Sequence, residues 1–174
     1  MTSLKKAECI APYGDQLIDL IVPESEQDEF REYAGTLPSL QLADRTACDL
    51  ELLAFGGFSP LDRFMGRDDF QRVLDEMRLA SGHLFPIPIS LPVEPREDIQ
   101  EGNEIALRDS RNHLLAVMTI DELFPWDRDE VADKVFGSRD FRHPLVAEMY
   151  RWGSMNISGP LRVLSPPHHY DFQD

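Results

Sequence analysis

Two adjacent glycines, Gly56 and Gly57, stand just before Ser59, and this spacing of residue types could hold an anion. A glycine turn that leads into a helix can bind phosphate or sulfate, because free backbone N–H groups and the helix dipole meet there. The stretch lacks the lysine of a P-loop, however, and Asp62 would repel an anion. We therefore interpret it as a structural corner, in which a helix over residues 42–55 ends at the glycines and a second helical turn begins at Ser59.

The histidines are the next residues whose chemistry could matter, because imidazole is a common metal ligand. They fall in separate turns and in a terminal segment: His83, His113, His143, His168 and His169. No two of them have the i, i+4 spacing that would direct both rings at one ion from a helix. The sequence therefore favours structural or solvated histidines and assigns no metal-binding residue.

The two cysteines, Cys9 and Cys48, are too few and too far apart to form a disulfide framework or a zinc site. Cys48 has acidic neighbours, which should raise the pKa of its thiol and leave it unreactive. We find no Ser-His-Asp arrangement, Walker loop or dinucleotide fingerprint either. The sequence thus assigns no catalytic and no cofactor-binding residue.

The composition of the chain restricts its partners and its location. Its 174 residues include 17 lysines and arginines against 32 aspartates and glutamates, for a formal charge of −15. Such a charge repels polyanions, and no basic stripe is visible, so we expect no nucleic-acid binding. No apolar stretch reaches the length of a membrane span, and residues 1–10 lack a signal-peptide core. We expect a cytoplasmic protein without membrane contact.

Hydrophobic spacing and turn residues predict a mixture of short helices and strands around this corner. In chain order they are a strand at 17–22, helices at 24–33 and 42–55, a helix capped by Asp68 or Asp69 that runs to Met77, an edge strand within 87–93, a hairpin at 104–120, helices at 126–135 and 145–152, and a strand at 155–164 broken at Gly159 and Pro160. This order predicts one α+β domain.

Two local patterns in this order resemble a known family. They are CDLELLAFGGFSPLDRFM at 48–65 and MRLASGHLFPIPISL at 77–91, and together they resemble the amino-terminal part of ATP sulfurylase, or sulfate adenylyltransferase. Val-Phe-Gly at 135–137 and the tail at 167–172 extend the resemblance over nearly the whole chain. Tyr13, Asp15 and Phe85 depart from the family pattern, in which Pro-His-Gly-Gly and Trp are usual at these places.

The resemblance implies a fold and a domain division. The fold would be an α+β, PUA-like β-barrel with helical decorations over residues 1–165, and residues 166–174 would be a linker towards a catalytic domain. The family's catalytic motifs, Gln-x-Arg-Asn and His-x-Gly-His, belong to that later domain. Neither is present here, since the polar hairpin turn Arg111-Asn112-His113 lacks the preceding glutamine.

The resemblance also implies a function. The chain would be a noncatalytic domain of an enzyme that converts ATP and sulfate to adenylylsulfate and pyrophosphate, and it would be inactive alone. It would bind no cofactor itself, while the full enzyme would use ATP and magnesium. Its partners would be its own catalytic domain and further copies of the enzyme. The alternative is a stand-alone PUA-like module that binds a ligand or another protein.

Overall fold

The computed structural model describes residues 10–165, which form two small sheets decorated by short helices. A 3₁₀ turn at Glu24–Glu26 precedes the first helix. The elements then follow in the order α1 (Gln27–Ala34), β1 (Ser39–Gln41), α2 (Asp44–Ala54), α3 (Arg67–Glu76), β2 (Leu91–Val93), β3 (Glu104–Arg108), β4 (Leu114–Thr119), β5 (Glu122–Pro125), α4 (Arg128–Val131) with its π-helical continuation (Ala132–Phe136), α5 (Pro144–Met149), β6 (Met155–Ser158) and β7 (Leu161–Val163).

The strands confirm the α+β class and divide into two sheets. The four-stranded sheet has the order β1-β3-β4-β7, and the three-stranded sheet has the order β2-β6-β5. All pairs are antiparallel except β1 with β3. The described strands are thus hydrogen-bonded as two separate sheets and do not close into one continuous barrel.

One sharp bend joins the two sheets. The ribbon β4–β5 runs alongside β6–β7, so that each ribbon contributes one strand to each sheet. Two hydrogen bonds join the ribbons where they pass from one sheet to the other. The Thr119 N–H donates to the Pro160 carbonyl at 3.1 Å, and the Asp121 N–H donates to the Ser158 carbonyl at 2.9 Å. A Cβ at Gly159 would lie 1.8 Å from the Thr119 carbonyl oxygen. The predicted break at Gly159 is confirmed, and close backbone packing explains it.

The main core lies between the sheets and the helices α2 and α3, and it consists of aliphatic and aromatic side chains. A smaller cluster joins Phe30 and Ala34 of α1 to Val117 and Leu164. The largest fully buried side chains are Phe64, Phe124, Leu50, Leu53, Met65, Ile89, Ile99, Ile105, Leu107, Leu115, Met118 and Ile120.

The hairpin and the later helices follow the sequence prediction. Strands β3 and β4 pair through a turn in which Asn112 has a φ of 68°, a conformation that asparagine tolerates well. Asp127 caps α4, and Gly137, with a φ of 64°, ends its continuation. No helix within residues 10–165 is long and apolar enough to cross a bilayer.

Two of the predicted strands are less regular than expected. Residues 17–22 form no strand, but Ile21 makes a single parallel bridge to Val163. In the second segment only Leu91–Val93 is a strand, at the expected edge of the three-stranded sheet. Pro86 and Pro88 have no N–H to donate to a ladder, and this shortens the strand.

The corner after α2 differs from its prediction. Gly56 adopts the left-handed conformation with a φ of 74°, whereas Gly57 has no positive φ. The predicted helical turn at Ser59 is wrong, because its hydroxyl is engaged elsewhere. It donates to the Gly56 carbonyl at 2.7 Å and accepts the Ile18 N–H at 3.1 Å. The segment is a chain of turns that fastens residues 17–22 to α2.

The predicted cap of α3, Asp68 or Asp69, is also wrong. Gly66 is the N-cap, and the Glu122 carboxylate accepts the Arg67 N–H at 2.9 Å from the adjacent strand β5. Asp69 lies inside the first turn and accepts the Ala80 N–H at 2.7 Å. The Glu122 carboxylate, which is far from α3 in the sequence but close to it in space, thus takes the place of the predicted local cap.

Candidate functional site

Most of the backbone N–H groups that an anion site would need at the glycine corner are already hydrogen-bonded. The N–H groups of Gly56, Phe58 and Ser59 all donate to backbone carbonyls of the corner itself or of α2, at 3.0 to 3.3 Å. Asp62 also pairs with Arg63 at 3.0 Å, which keeps a carboxylate beside the turn. The structure therefore favours the structural interpretation of this corner.

Each described histidine has a local partner. His83 Nδ1 lies 2.8 Å from the Ser81 hydroxyl, and the Tyr13 ring meets the imidazole edge to face. His113 Nδ1 lies 2.9 Å from Asp109, and His143 stacks beside Phe136. Within residues 10–165, no group of three histidine, cysteine or acidic side chains is arranged to hold a metal ion. His168 and His169 lie outside the described residues.

The cysteine prediction agrees with the structure where it can be compared. Cys48 is free, and partial burial together with Glu51 and Asp49 raises the pKa of its thiol. Thiolate formation is therefore disfavoured at neutral pH. Cys9 lies outside the described residues, as does the predicted linker at 166–174.

The two tryptophans, Trp126 and Trp152, form the centre of a surface that no sequence motif indicates. Trp126 follows β5 and Trp152 follows α5, and their ring centroids lie 6.2 Å apart. The Trp126 indole N–H donates to the Gly153 carbonyl at 2.9 Å, and Arg128 donates to the Trp152 carbonyl at 2.5 Å. These bonds tie the start of α4 to the end of α5, which fixes both rings.

A cavity of about 330 Å³ opens beside these rings, and we call it the tryptophan pocket. The walls of this pocket come from α3, the loop before β2, the region around α4, and α5. Its polar lining side chains are Arg45 and Ser90, and the other lining residues are Phe70, Ile87, Pro88, Trp126, Val131, Val135, Phe136, Leu145 and Trp152. The pocket is therefore predominantly apolar, with one cationic group in its wall.

Two further depressions adjoin the tryptophan pocket. One, of about 220 Å³, shares Arg45, Ser90 and Trp152 with it and also contains Asp49 and Glu148. The other is an open groove of about 1080 Å³ that shares Phe70 and Trp126 and is bordered by the charged residues around α4. The tryptophan pair thus stands where three concave surfaces meet.

Helix α2 positions the cation of this region. The helix buries Leu50, Leu53 and neighbouring small residues. This turns Arg45 towards the tryptophan pocket and Asp49, one helical turn later, towards the adjacent 220 Å³ cavity. The guanidinium carbon of Arg45 lies 4.6 Å from the centroid of the Trp152 ring, a cation–π geometry. Burial raises the pKa of Asp49, although the nearby charge of Arg45 opposes this shift.

Two carboxylates of the larger groove, Asp129 and Glu130, are paired with cations that stand outside its lining. Arg139 bridges Asp129 and Asp133, and the Tyr150 hydroxyl also donates to Asp129. Lys134 binds Glu130 at 2.6 Å and also contacts Asp75 of α3. These carboxylates hold the pKa of Arg139 and that of Lys134 above their ordinary values. The network holds α4 against its neighbours and suits structural support better than catalysis.

The tryptophan pocket is concave and predominantly apolar, and Ser90 is the only hydroxyl among its described lining residues. The described lining contains no carboxylate, histidine or cysteine that could act as a general base or activate this hydroxyl. Sequence inspection could not have found this pocket, because Trp126 and Trp152 occur in separate elements. The available signal for this pocket was that the chain contains only two tryptophans.

Comparisons with known proteins agree with this architecture. The chain is 41% identical over 160 residues to sulfate adenylyltransferase from Symbiobacterium thermophilum, covering 91% of this chain and 41% of that enzyme. It is 40% identical over 169 residues to sulfate adenylyltransferase from Mycosarcoma maydis, covering 93% of this chain and 29% of the enzyme. The chain thus spans less than half the length of these relatives.

A solved structure shares the fold. The structure described as "Hexameric APS kinase from Thiobacillus denitrificans" superposes with a TM-score of 0.70 and 30% identity, covering 94% of this chain and 28% of the other. The family model for the PUA-like domain matches residues 10–166. This match takes in all of the described elements, and the chain therefore belongs to the PUA-like domain family.

Proposed function

We propose that this chain acts as the noncatalytic amino-terminal domain of a sulfate adenylyltransferase. The observation that carries the proposal is the asymmetry of the match: nearly all of this chain aligns, whereas more than half of each relative lies outside the alignment. The Gln-x-Arg-Asn and His-x-Gly-His motifs expected of the catalytic domain are absent from this sequence. The complete enzyme would join ATP and sulfate to give adenylylsulfate and pyrophosphate.

The domain would then serve as a scaffold. It would pack against the catalytic domain and contribute to a homo-oligomer, an idea supported by the solved neighbour that is described as hexameric. ATP and magnesium would be held by the catalytic domain, and this domain would need no cofactor. The alternative of a stand-alone module has less support, because the relatives are named as enzymes of greater length.

The proposal includes a cytoplasmic domain that has no role in binding nucleic acid. The free thiol of Cys48 agrees with a reducing compartment. The formal charge of −15 opposes contact with phosphates, since nonspecific binding depends on cations that displace counterions. A generic oligonucleotide at physiological salt should show no salt-sensitive binding to the purified chain, and micromolar affinity would contradict this part of the proposal.

Pyrophosphate release from ATP and sulfate tests the main proposal. The purified chain should show no sulfate-dependent release, while the complete Symbiobacterium thermophilum enzyme provides the positive control. A chimaera in which this chain replaces the aligned region of that enzyme should retain turnover. Turnover by this chain alone would contradict a noncatalytic role, and a folded but inactive chimaera would contradict the proposed domain role.

A further inference from the structure

The tryptophan pocket has the size and lining of a small-molecule site. Its volume of about 330 Å³ lies at the lower end of the range typical of ligand pockets, about 300–1,000 Å³. The side chains of Phe70, Trp126 and Trp152 provide flat aromatic surfaces, while Val131 and Val135 complete an aliphatic wall. Such a lining accepts an apolar body, because burying both surfaces removes them from water.

Arg45 supplies the polar end of the site. Its guanidinium carbon lies 4.6 Å from the centroid of the Trp152 ring, and this cation–π contact engages no conventional hydrogen-bond acceptor. The ion pair between Arg45 Nε and Asp49 spans 4.0 Å, too far for a hydrogen bond. No hydrogen bond joins the Arg45 side chain to another residue in the range 10–165. An incoming carboxylate could therefore take two N–H groups of this side chain without breaking an existing hydrogen bond.

The surrounding charges are compatible with an anion at this position. Asp49 and Glu148 line the adjacent 220 Å³ cavity but not the tryptophan pocket. Within the tryptophan pocket, Arg45 is the only charged lining residue among those described. A cation exposed to an apolar wall attracts an anion more strongly than it would in open water, since the local dielectric constant is lower.

We propose that the tryptophan pocket binds a small organic anion, with its apolar body between Phe70 and the tryptophans and its negative group on Arg45. The concave shape favours this class of ligand over a protein partner, whose specific binding would require a much wider contact surface. The proposal does not depend on the parent enzyme, because every contact comes from this domain.

The two indole N–H groups provide a direct measurement, because the chain has only two tryptophans and both line the pocket. The probes are 4-phenylbutyrate and 4-phenylbutylamine, which share an apolar body and differ in charge. In two-dimensional ¹H–¹⁵N spectra of the folded chain, we expect phenylbutyrate to shift both indole signals saturably. Its affinity should exceed that of the amine by about tenfold or more, the range of a charge-assisted pair.

Three variants test the assignment of the anion to Arg45. Arg45→Gln should remove the preference for the carboxylate probe. Arg72→Gln, with the same loss of charge on the exposed surface of α3, should leave it unchanged. Ile87→Asp places a carboxylate at the rim, where Ile87 is 45% exposed, and should weaken phenylbutyrate binding even if Arg45→Gln fails to fold.

Several results would overturn the proposal. These are the absence of saturable shifts, equal affinity for the two probes, and an Arg45→Gln variant that behaves like Arg72→Gln. Equal shifts by both probes, accompanied by self-association of the chain, would instead assign this face to protein docking. Selective binding of the anionic probe, lost in Arg45→Gln and Ile87→Asp but kept in Arg72→Gln, would establish the site.

Discussion

Two neighbouring glycines at the corner after α2 have different structural roles. Gly56 has a φ of 74°, and a Cβ there would lie 2.4 Å from the Ile18 carbonyl oxygen. Gly57 lacks a positive φ, and the closest contact of its Cβ would be 3.0 Å, to the end of the flexible Leu52 side chain. The strict requirement for glycine therefore belongs to Gly56, although the motif alone suggested that Gly57 was equally constrained.

We expect Gly56→Ala to destabilise the chain by about 1–3 kcal/mol, because it adds backbone strain and a steric clash. Gly57→Ala should cost clearly less, since Leu52 can rotate away. Urea denaturation of the two variants measures the difference in unfolding free energy. Equal losses, or a larger loss for Gly57→Ala, would contradict the assigned backbone conformations.

The buried carboxylate of Asp49 gives the stability of the chain a distinct pH dependence. Burial raises the pKa of Asp49, so the folded state prefers the protonated form. Its stabilising contribution is complete below the unfolded pKa of about 4 and is lost as the pH rises through the folded value. At neutral pH the ionised group therefore opposes folding.

Asp49→Asn should increase the unfolding free energy at pH 7, and this gain should shrink as the pH approaches 4. Unfolding curves at several pH values measure the trend. Glu97→Gln, at an exposed position outside the helices and strands, also removes one negative charge and corrects for general repulsion within this acidic chain. A gain that grows towards low pH would show that the sign of the Asp49 shift is wrong.

At the scale of single elements, α4 depends on its cap. The Asp127 carboxylate accepts the N–H groups of Asp129 and Glu130 at 2.8 and 3.2 Å. We expect Asp127→Ala to lower the unfolding free energy by about 1 kcal/mol, whereas Asp127→Asn should retain most of it. Thermal unfolding followed by circular dichroism measures both. Equal stability of Asp127→Ala and the parent chain would exclude a capping contribution.

Elements whose signals are local could be predicted from the sequence. The hairpin turn at 109–112 depends on adjacent residues and occurs where expected. The Gly-Pro pair marks the break at Gly159 in the sequence, although the close approach of Thr119 is what requires the glycine. The start of α3 depends on Glu122, which is 55 residues away, and the turn at Ser59 depends on Ile18. Local propensity does not contain such contacts, so these two boundaries were misplaced.

The candidate site was harder to predict than the elements that build it. Helices near Trp126 and Trp152 were expected, yet the approach of the two rings depends on how α4 and α5 pack. Arg45 reaches Trp152 from a helix more than 100 residues earlier in the chain. Tertiary packing alone brings these side chains together, and no short motif describes them.

At the scale of the whole molecule, the shared ribbons should make unfolding cooperative. Because β4–β5 and β6–β7 each belong to both sheets, one sheet cannot open without disturbing the other. Far-ultraviolet circular dichroism and tryptophan emission should therefore give the same urea midpoint. Separate midpoints would show that the two sheets unfold independently.

Gly159 lies at the bend where the two sheets are coupled. A Cβ there would lie 1.8 Å from the Thr119 carbonyl oxygen, a contact that only backbone movement can relieve. We expect Gly159→Ala to cost about 3 kcal/mol or more and to shift both spectroscopic midpoints together. Gly102→Ala, where an added Cβ has no close neighbour, provides a control for glycine replacement at a positive φ.

The bridge between Ile21 and Val163 brings residues that are far apart in the chain side by side, with the Val22 N–H donating to Val163 at 2.8 Å. The two residues, 142 positions apart, therefore meet at the β7 edge of the four-stranded sheet. Closing so long a loop costs chain entropy before the contact can stabilise the fold, and contacts between such distant positions slow folding.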